Sequence, residues 1–227
     1  MKLPLSIRYS ITFLLLLLVM MEFHELVHIT TGRIVCGCWG SRDFNVWSLC
    51  DSCREQHPNW WLATLSGPVF SFSIMWVGMF FLRSRIVQMK RLGFAFIFAN
   101  IPFGRITTVM MGGGDEMVVT RHFLSGSWSR NEMIVLCSAI VLLLGVPPVI
   151  MAWRSLTNKK AWIYITGFLL LPLLFLLIYL LTGLNSLLHY SVLSSNWIMG
   201  TPVLITAHTI LVLTLLILFH RKLTDQP

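Results

Sequence analysis

Six apolar stretches, each long enough to cross a lipid bilayer or nearly so, follow one another along this chain. They span roughly residues 9–30, 60–82, 92–111, 132–153, 161–182 and 203–220. A helix needs about 20 mostly apolar residues to cross the hydrocarbon core, because each residue advances it by about 1.5 Å. Almost no sequence is left for a soluble domain. We therefore expect an all-α, multi-pass integral membrane protein with about six transmembrane helices, with residues 1–227 forming one membrane domain.

The charged residues agree with this interpretation. Only 11% of the residues are charged, whereas a soluble domain carries about 25%. The net charge of +8 comes from short basic clusters between the apolar stretches, a pattern that the positive-inside rule produces. No basic stripe with interleaved aromatic residues is visible, so we expect the lipid bilayer as a partner and no nucleic acid. The expected location is the plasma membrane.

The lysines and arginines also predict an orientation. With six spans, both ends of the chain lie on one side of the membrane. That side carries eleven of them: Lys2, Arg8, Arg83, Arg85, Lys90, Arg91, Arg154, Lys159, Lys160, Arg221 and Lys222. The opposite loops carry five: Arg33, Arg42, Arg54, Arg121 and Arg130. The positive-inside rule therefore favours cytoplasmic ends.

A polar cluster, MEFHELVHIT at residues 21–30, interrupts the end of the first apolar stretch. Ionisable groups within a membrane span cost about 2.5–3.5 kcal/mol each at its centre, so they usually indicate function. His24 and His28 lie about 40° apart around a helix and about 6 Å apart along it, so both imidazoles can bind one metal ion. Glu25 lies beside them, where a carboxylate can deprotonate a metal-bound water. This HExxH pattern is typical of zinc hydrolases; Glu22 is a candidate partner of a histidine or faces a wet cavity.

A catalytic zinc ion usually has three protein ligands, so a third must come from elsewhere in the chain. Of the nine acidic residues, Asp115 and Glu116 lie near another apolar stretch at a matching depth. The three glycines at 112–114 would let the backbone bring Asp115 towards the metal. His57 and His122 are weaker alternatives, because each lies in a polar loop.

The loop after the first span, residues 31–59, contains four cysteines in the order CxC…CxxC: Cys36, Cys38, Cys50 and Cys53. Four thiolates at this spacing can form a second, structural zinc site. On an oxidising side of the membrane they can instead form two disulfides. Either arrangement would crosslink a loop that is too short to bury a core of its own, and four free thiols are the third alternative.

Three motifs together resemble the site-2 protease family of intramembrane zinc metalloproteases. They are HELVH at 24–28, SGPVFSFS at 66–73, and the segment NIP…GGGDE that runs from Asn100 to Glu116. That family has HExxH in one helix, a Gly-Pro motif in the next, and an Asn/Pro segment that leads to an aspartate ligand. The similarity covers residues 10–120, about half of the chain.

The resemblance implies a Zn²⁺ ion bound by His24, His28 and Asp115. It also implies that Glu25 is the general base and that Asn100 lies near the substrate or its oxyanion. The expected activity is hydrolysis of peptide bonds within or next to the membrane, in membrane proteins or membrane-bound peptides. Members of this family usually open their active site towards the cytosol, whereas the charge count places it on the opposite side. The sequence therefore does not decide which side of the membrane the site faces.

The resemblance assigns the first three helices, residues 1–120, to a zinc metalloprotease core, and residues 121–227 to additional transmembrane helices. The alternative is a non-enzymatic membrane sensor or transporter that binds metal through the same histidines. A transporter should have ionisable residues in several spans. The last three spans hold few, Glu132 and His208 near their ends, and this favours the enzyme.

Overall fold

The computed structural model describes residues 1–3 and 5–224, and within these residues it is helical, with no β-strand. The helices are α1 (Ile7–Cys36), α2 (Cys53–Gln56), α3 (Trp61–Phe81), α4 (Val87–Ala99), α5 (Pro102–Met110), α6 (Asp115–Leu124), α7 (Arg130–Ser155), α8 (Ala161–Leu176), α9 (Asn185–His189) and α10 (Val203–Phe219). A π-helical stretch, Leu177–Leu184, joins α8 to α9.

The prediction of six membrane-crossing helices is confirmed on length and composition. Within residues 1–3 and 5–224, six helical segments are long and apolar enough to span a bilayer: Ile7–Cys36, Trp61–Phe81, Val87–Met110, Arg130–Ser155, Ala161–His189 and Val203–Leu223. The first is longer than predicted. Its N-terminus is capped by Ser6, whose side chain accepts from the Tyr9 amide, and it ends where Gly37 turns left-handed at φ 74°. Its 30 residues extend over about 45 Å, which exceeds the hydrocarbon thickness of about 30 Å.

The third span is broken into two helices, as its Pro and polar residues suggest. Helix α4 ends at Asn100, and Ile101 has a left-handed backbone with φ 43°. Pro102 then begins α5, where its missing N–H costs no hydrogen bond. After α5 the chain turns through Gly112 (φ 78°) and Gly114 (φ 85°), and α6 begins at Asp115. This turn fixes the direction in which Asp115 enters the bundle.

Hydrogen bonds between distant segments define one end of the bundle, and the remaining connections lie at the other. The Leu3 amide donates to Asn158 Oδ1 at 3.0 Å, and Arg91 donates to the carbonyls of Lys2 and Thr224 at 3.3 and 3.2 Å. These contacts gather residues 1–3, 82–86, 156–160 and 220–224 at one end, the terminal face. Residues 37–60, 111–114, 125–129 and 190–202 connect the helices at the other end, the loop face.

Candidate metal centre

Three of the residues singled out in the sequence converge at the end of α1 that is nearer the loop face. His24 Nε2 lies 3.0 Å from His28 Nε2, and Asp115 Oδ2 lies 3.4 and 3.3 Å from these two nitrogens. His24 and His28 come from one helix, one turn apart, whereas Asp115 comes from the first turn of α6. The three donor atoms form a nearly equilateral triangle.

This triangle fits a tetrahedral zinc site. A zinc ion with bonds of about 2.0–2.1 Å separates its ligand atoms by about 3.3–3.4 Å, close to the three distances observed. Two neutral imidazoles and one carboxylate are also a donor set that catalytic zinc uses, with the fourth position left for water. His24, His28 and Asp115 are therefore able to hold a metal ion.

Gly67 explains why the two imidazoles can lie where they do. It belongs to α3, and a Cβ atom built on it would lie 2.2 Å from His28 Nε2 and 2.7 Å from His24 Cε1. A side chain at this position would therefore occupy the space of the imidazoles themselves. From the sequence, the Gly67-Pro68 pair predicts only a kink in the second span. The structure shows in addition that a glycine is needed at position 67 because any side chain would clash with the imidazoles.

The other nitrogen of each imidazole is held by neighbours. His28 Nδ1 lies 2.7 Å from the Ala63 carbonyl, which fixes Nδ1 as the protonated nitrogen and leaves Nε2 with a free lone pair. The ring of His28 also stacks on Trp47 of the loop, with 4.8 Å between ring centroids. His24 Nδ1 lies 3.0 Å from Ser71 Oγ and 2.9 Å from an Arg105 nitrogen, which can only donate; binding a metal through Nε2 requires that Nδ1 donates to Ser71 instead.

Arg105 and Glu116 form an ion pair beside the centre. One Arg105 nitrogen lies 2.8 Å from Ser71 Oγ and 2.9 Å from His24 Nδ1, and the other lies 3.3 Å from Glu116 Oε1. Glu116 therefore turns away from the imidazoles and neutralises an arginine, while Asp115 turns towards them. Of the two acidic residues that the sequence offered as third ligand, the structure brings Asp115 to the histidines.

The environment of Asp115 favours its charged form. Burial alone would raise the pKa of its carboxyl, but the two imidazoles next to it outweigh this effect and hold the pKa below its usual range. Asp115 also lies in the first turn of α6, where the helix dipole stabilises a negative charge. A carboxylate that stays ionised is the form that binds a cation.

Glu25 is buried next to this cluster and has no partner for one of its oxygens. Its side chain is 3% exposed, and among the described residues no donor reaches its Oε2 atom. Glu25 and Asp115 both line a cavity of about 740 Å³ that extends beneath the loop, and Thr108 and Thr64 complete its floor. An unpaired buried carboxyl is costly, so its presence needs an explanation, and a chemical role is one.

The loop that covers this cavity is crosslinked. Its cysteines form two disulfides, Cys36–Cys53 and Cys38–Cys50, with Cα atoms 5.5 and 6.1 Å apart. Arg42, from the same loop, donates to both carboxylate oxygens of Glu22 at 2.9 and 2.7 Å.

Glu22 is therefore the partner of a loop arginine; of the two alternatives drawn from the sequence, a histidine partner and a wet cavity, the structure does not show the first. The pair fastens the loop to α1 two residues before His24.

The remaining candidates lie elsewhere. Asn100 caps the break between α4 and α5, donating to the Phe96 carbonyl at 2.8 Å, and it is not among the residues that line the cavity. The ring of His122 packs on Trp60. Ser71, Arg105 and Trp47 support the centre but do not stand out in the sequence as parts of a site. The one available signal was the charge of Arg105 within an apolar stretch.

Comparison of the chain with protein-family models, with curated proteins and with solved structures finds no match.

Proposed function

We propose that this protein is an intramembrane zinc metalloprotease that hydrolyses peptide bonds within or next to the membrane. One observation carries the proposal: the two histidines of the HExxH motif meet Asp115 beside a buried carboxyl, Glu25, at the wall of a sizeable cavity. His24, His28 and Asp115 would hold the zinc ion. When bound, zinc supplies a Lewis acid and lowers the pKa of a coordinated water towards about 7.

In this mechanism Glu25 accepts a proton from the attacking water and later delivers it to the leaving amine. Its unpaired Oε2 atom faces no competing donor among the described residues, so it is free to take up that proton. Ala63 and Ser71 hold the two imidazoles in orientation, and Asp115 contributes negative charge. A helical substrate has to unwind first, because its carbonyls are already hydrogen-bonded within the helix.

The rival function is a non-enzymatic metal sensor or transporter. A sensor or transporter would use the same three ligands, but it would have no chemical role for Glu25. In the last spans, His208 lies 3.2 Å from the Tyr179 hydroxyl and packs on Phe44. It thus has partners of its own. This arrangement favours the enzyme.

The Glu25→Gln variant separates the two functions. It keeps the size of the side chain and all three ligands, so zinc content should remain close to one per chain. Cleavage of single-span test proteins by the purified protein in detergent should fall by about 10²–10⁴-fold, the usual contribution of a positioned acid–base group. Glu55→Gln is the matched control, because Glu55 lines the same cavity but is exposed.

His24→Ala should lose zinc and activity together. If Glu25→Gln cleaves at the parent rate, or if the parent protein with zinc bound cleaves none of the test proteins, the protease function is wrong.

A further inference from the structure

The metal centre lies towards one end of the helix bundle, and several features of the chain indicate which side of the membrane that end faces. We propose that it opens to the extracytoplasmic side and that its substrates are peptide segments exposed there, directly outside the bilayer. The nature of the substrate rests on the proposed function, whereas the orientation does not.

The basic residues indicate that the terminal face is cytoplasmic. Eleven lysines and arginines lie at or next to the terminal face, and five lie at or next to the loop face. Four of those five have local partners: Arg33 donates to the Gly37 carbonyl, Arg42 is paired with Glu22, Arg54 lies over the Trp60 ring at 4.7 Å, and Arg121 donates to the Gly112 carbonyl. Since short cytoplasmic loops carry the excess of positive charge, the loop face and the metal centre belong to the opposite side.

The disulfides support the same orientation by independent chemistry. Both connect residues of the loop face, Cys36 with Cys53 and Cys38 with Cys50. Structural disulfides form on the oxidising side of a membrane and are rare in the cytosol. The one cysteine outside the loop, Cys137, is buried and free. Charge and thiol chemistry thus agree.

The depth of the centre follows from the length of α1. Arg8 lies in the first turn of α1, at the terminal face, and His28 follows twenty residues later. At about 1.5 Å per residue this separation is about 30 Å, the thickness of the hydrocarbon core. The metal ligands therefore lie near the far boundary of the bilayer and not at its midplane.

The cavity connects the centre with the aqueous phase at this boundary. Its walls are residues 45–55 of the crosslinked loop, and its floor includes Glu25 and Asp115. Most of this lining comes from a polar loop and not from helix surfaces that face lipid. The cavity therefore admits an extended peptide segment that lies outside the membrane, where no unwinding of a transmembrane helix within lipid is required.

Two variants on either side of α7 test the orientation. Ser127→Cys lies in the exposed turn before α7, at the loop face, and Thr157→Cys lies in the exposed turn after it, at the terminal face. Both replace a hydroxyl by a thiol and change no charge. In intact cells a membrane-impermeant maleimide should label Ser127→Cys at once, and Thr157→Cys only after permeabilisation. The parent chain gives the background.

The orientation is wrong if Ser127→Cys needs permeabilisation, or if Thr157→Cys is labelled in intact cells. A second measurement tests the substrate: sealed right-side-out vesicles are given a pool of water-soluble fluorogenic peptides on the outside. Cleavage should occur without permeabilisation and should stop in Glu25→Gln. If peptides are cleaved only after permeabilisation, the proposed access is wrong. If detergent-solubilised protein also fails to cleave, the protease function is wrong while the labelling result on orientation still stands.

Discussion

Gly67→Ala is the smallest change that tests the geometry of the metal centre. The added methyl group would lie 2.2 Å from His28 Nε2, 2.6 Å from His28 Cε1 and 2.7 Å from His24 Cε1, whereas Cβ atoms essentially never come closer than 3.0 Å to another heavy atom. The histidine rings or α3 must therefore move by at least about 0.8 Å. Zinc–ligand distances tolerate only about 0.2 Å, so the displacement exceeds what the site can absorb.

We expect the zinc dissociation constant of Gly67→Ala to rise by at least about 100-fold, which corresponds to about 2.7 kcal/mol. Zinc content, measured by mass spectrometry after dialysis against a competing chelator, should fall well below one per chain. Gly145→Ala is the matched control. Gly145 is also buried inside a long helix, but the nearest atom to its added Cβ, Phe72 Cε1, is at an ordinary 3.9 Å. Alanine is favoured over glycine in a helix by about 1 kcal/mol, so this control should keep its zinc and its stability.

The measurement must separate metal loss from unfolding. Size-exclusion chromatography in detergent should show the same monodisperse protein for the parent and both glycine variants. If Gly67→Ala folds and binds zinc as tightly as the parent, the histidines do not lie against α3 as described here, and the fit of the centre to zinc is refuted.

Three further predictions concern the surroundings of the centre. Asp115→Ala should lose zinc, whereas Glu116→Ala should retain it, because Glu116 pairs with an arginine; the opposite result from metal analysis would make Glu116 the ligand. Under denaturing, chelating and non-reducing conditions, thiol titration should find no reactive loop cysteine, whereas four reactive thiols would indicate a zinc site or free cysteines in the loop. Glu22→Gln leaves Arg42 buried without a counter-charge, and breaking such a pair costs about 3–5 kcal/mol; limited proteolysis should cut the loop faster than in the parent, and an unchanged rate would show that the pair does not hold it.

Much of the fold can be read from the sequence because bilayer thickness imposes a length on each apolar stretch. The residues at which the helices end are harder to predict from the sequence. Helix α1 continues to Cys36, beyond the predicted residue 30, because the chain stays helical outside the bilayer until Gly37 reverses it. The fifth span likewise continues through a π-helical stretch to His189, in a region that hydropathy leaves ambiguous.

Some residues of the site can be predicted from local spacing in the sequence, whereas others are brought there only by tertiary packing. His24, Glu25 and His28 can be predicted because their spacing alone puts them on one turn of helix. Asp115 is about ninety residues further along, and only its matching depth, the glycine turn and the resemblance pointed to it. The roles of Arg105 and Trp47 depend on packing between distant segments, which leaves no periodic pattern in the sequence.

The partners of the acidic residues support the proposed catalytic role of the centre. Four carboxyl groups lie in or next to the polar end of α1, where burial is costly. Glu22 is paired with a loop arginine, Glu116 is paired with Arg105, and Asp115 lies between two imidazoles. Glu25 is the most buried of the four at 3% exposed, and its Oε2 atom has no donor among the described residues. A purely structural metal site would gain stability from pairing or replacing this group, whereas a hydrolase needs one unpaired carboxylate beside its water.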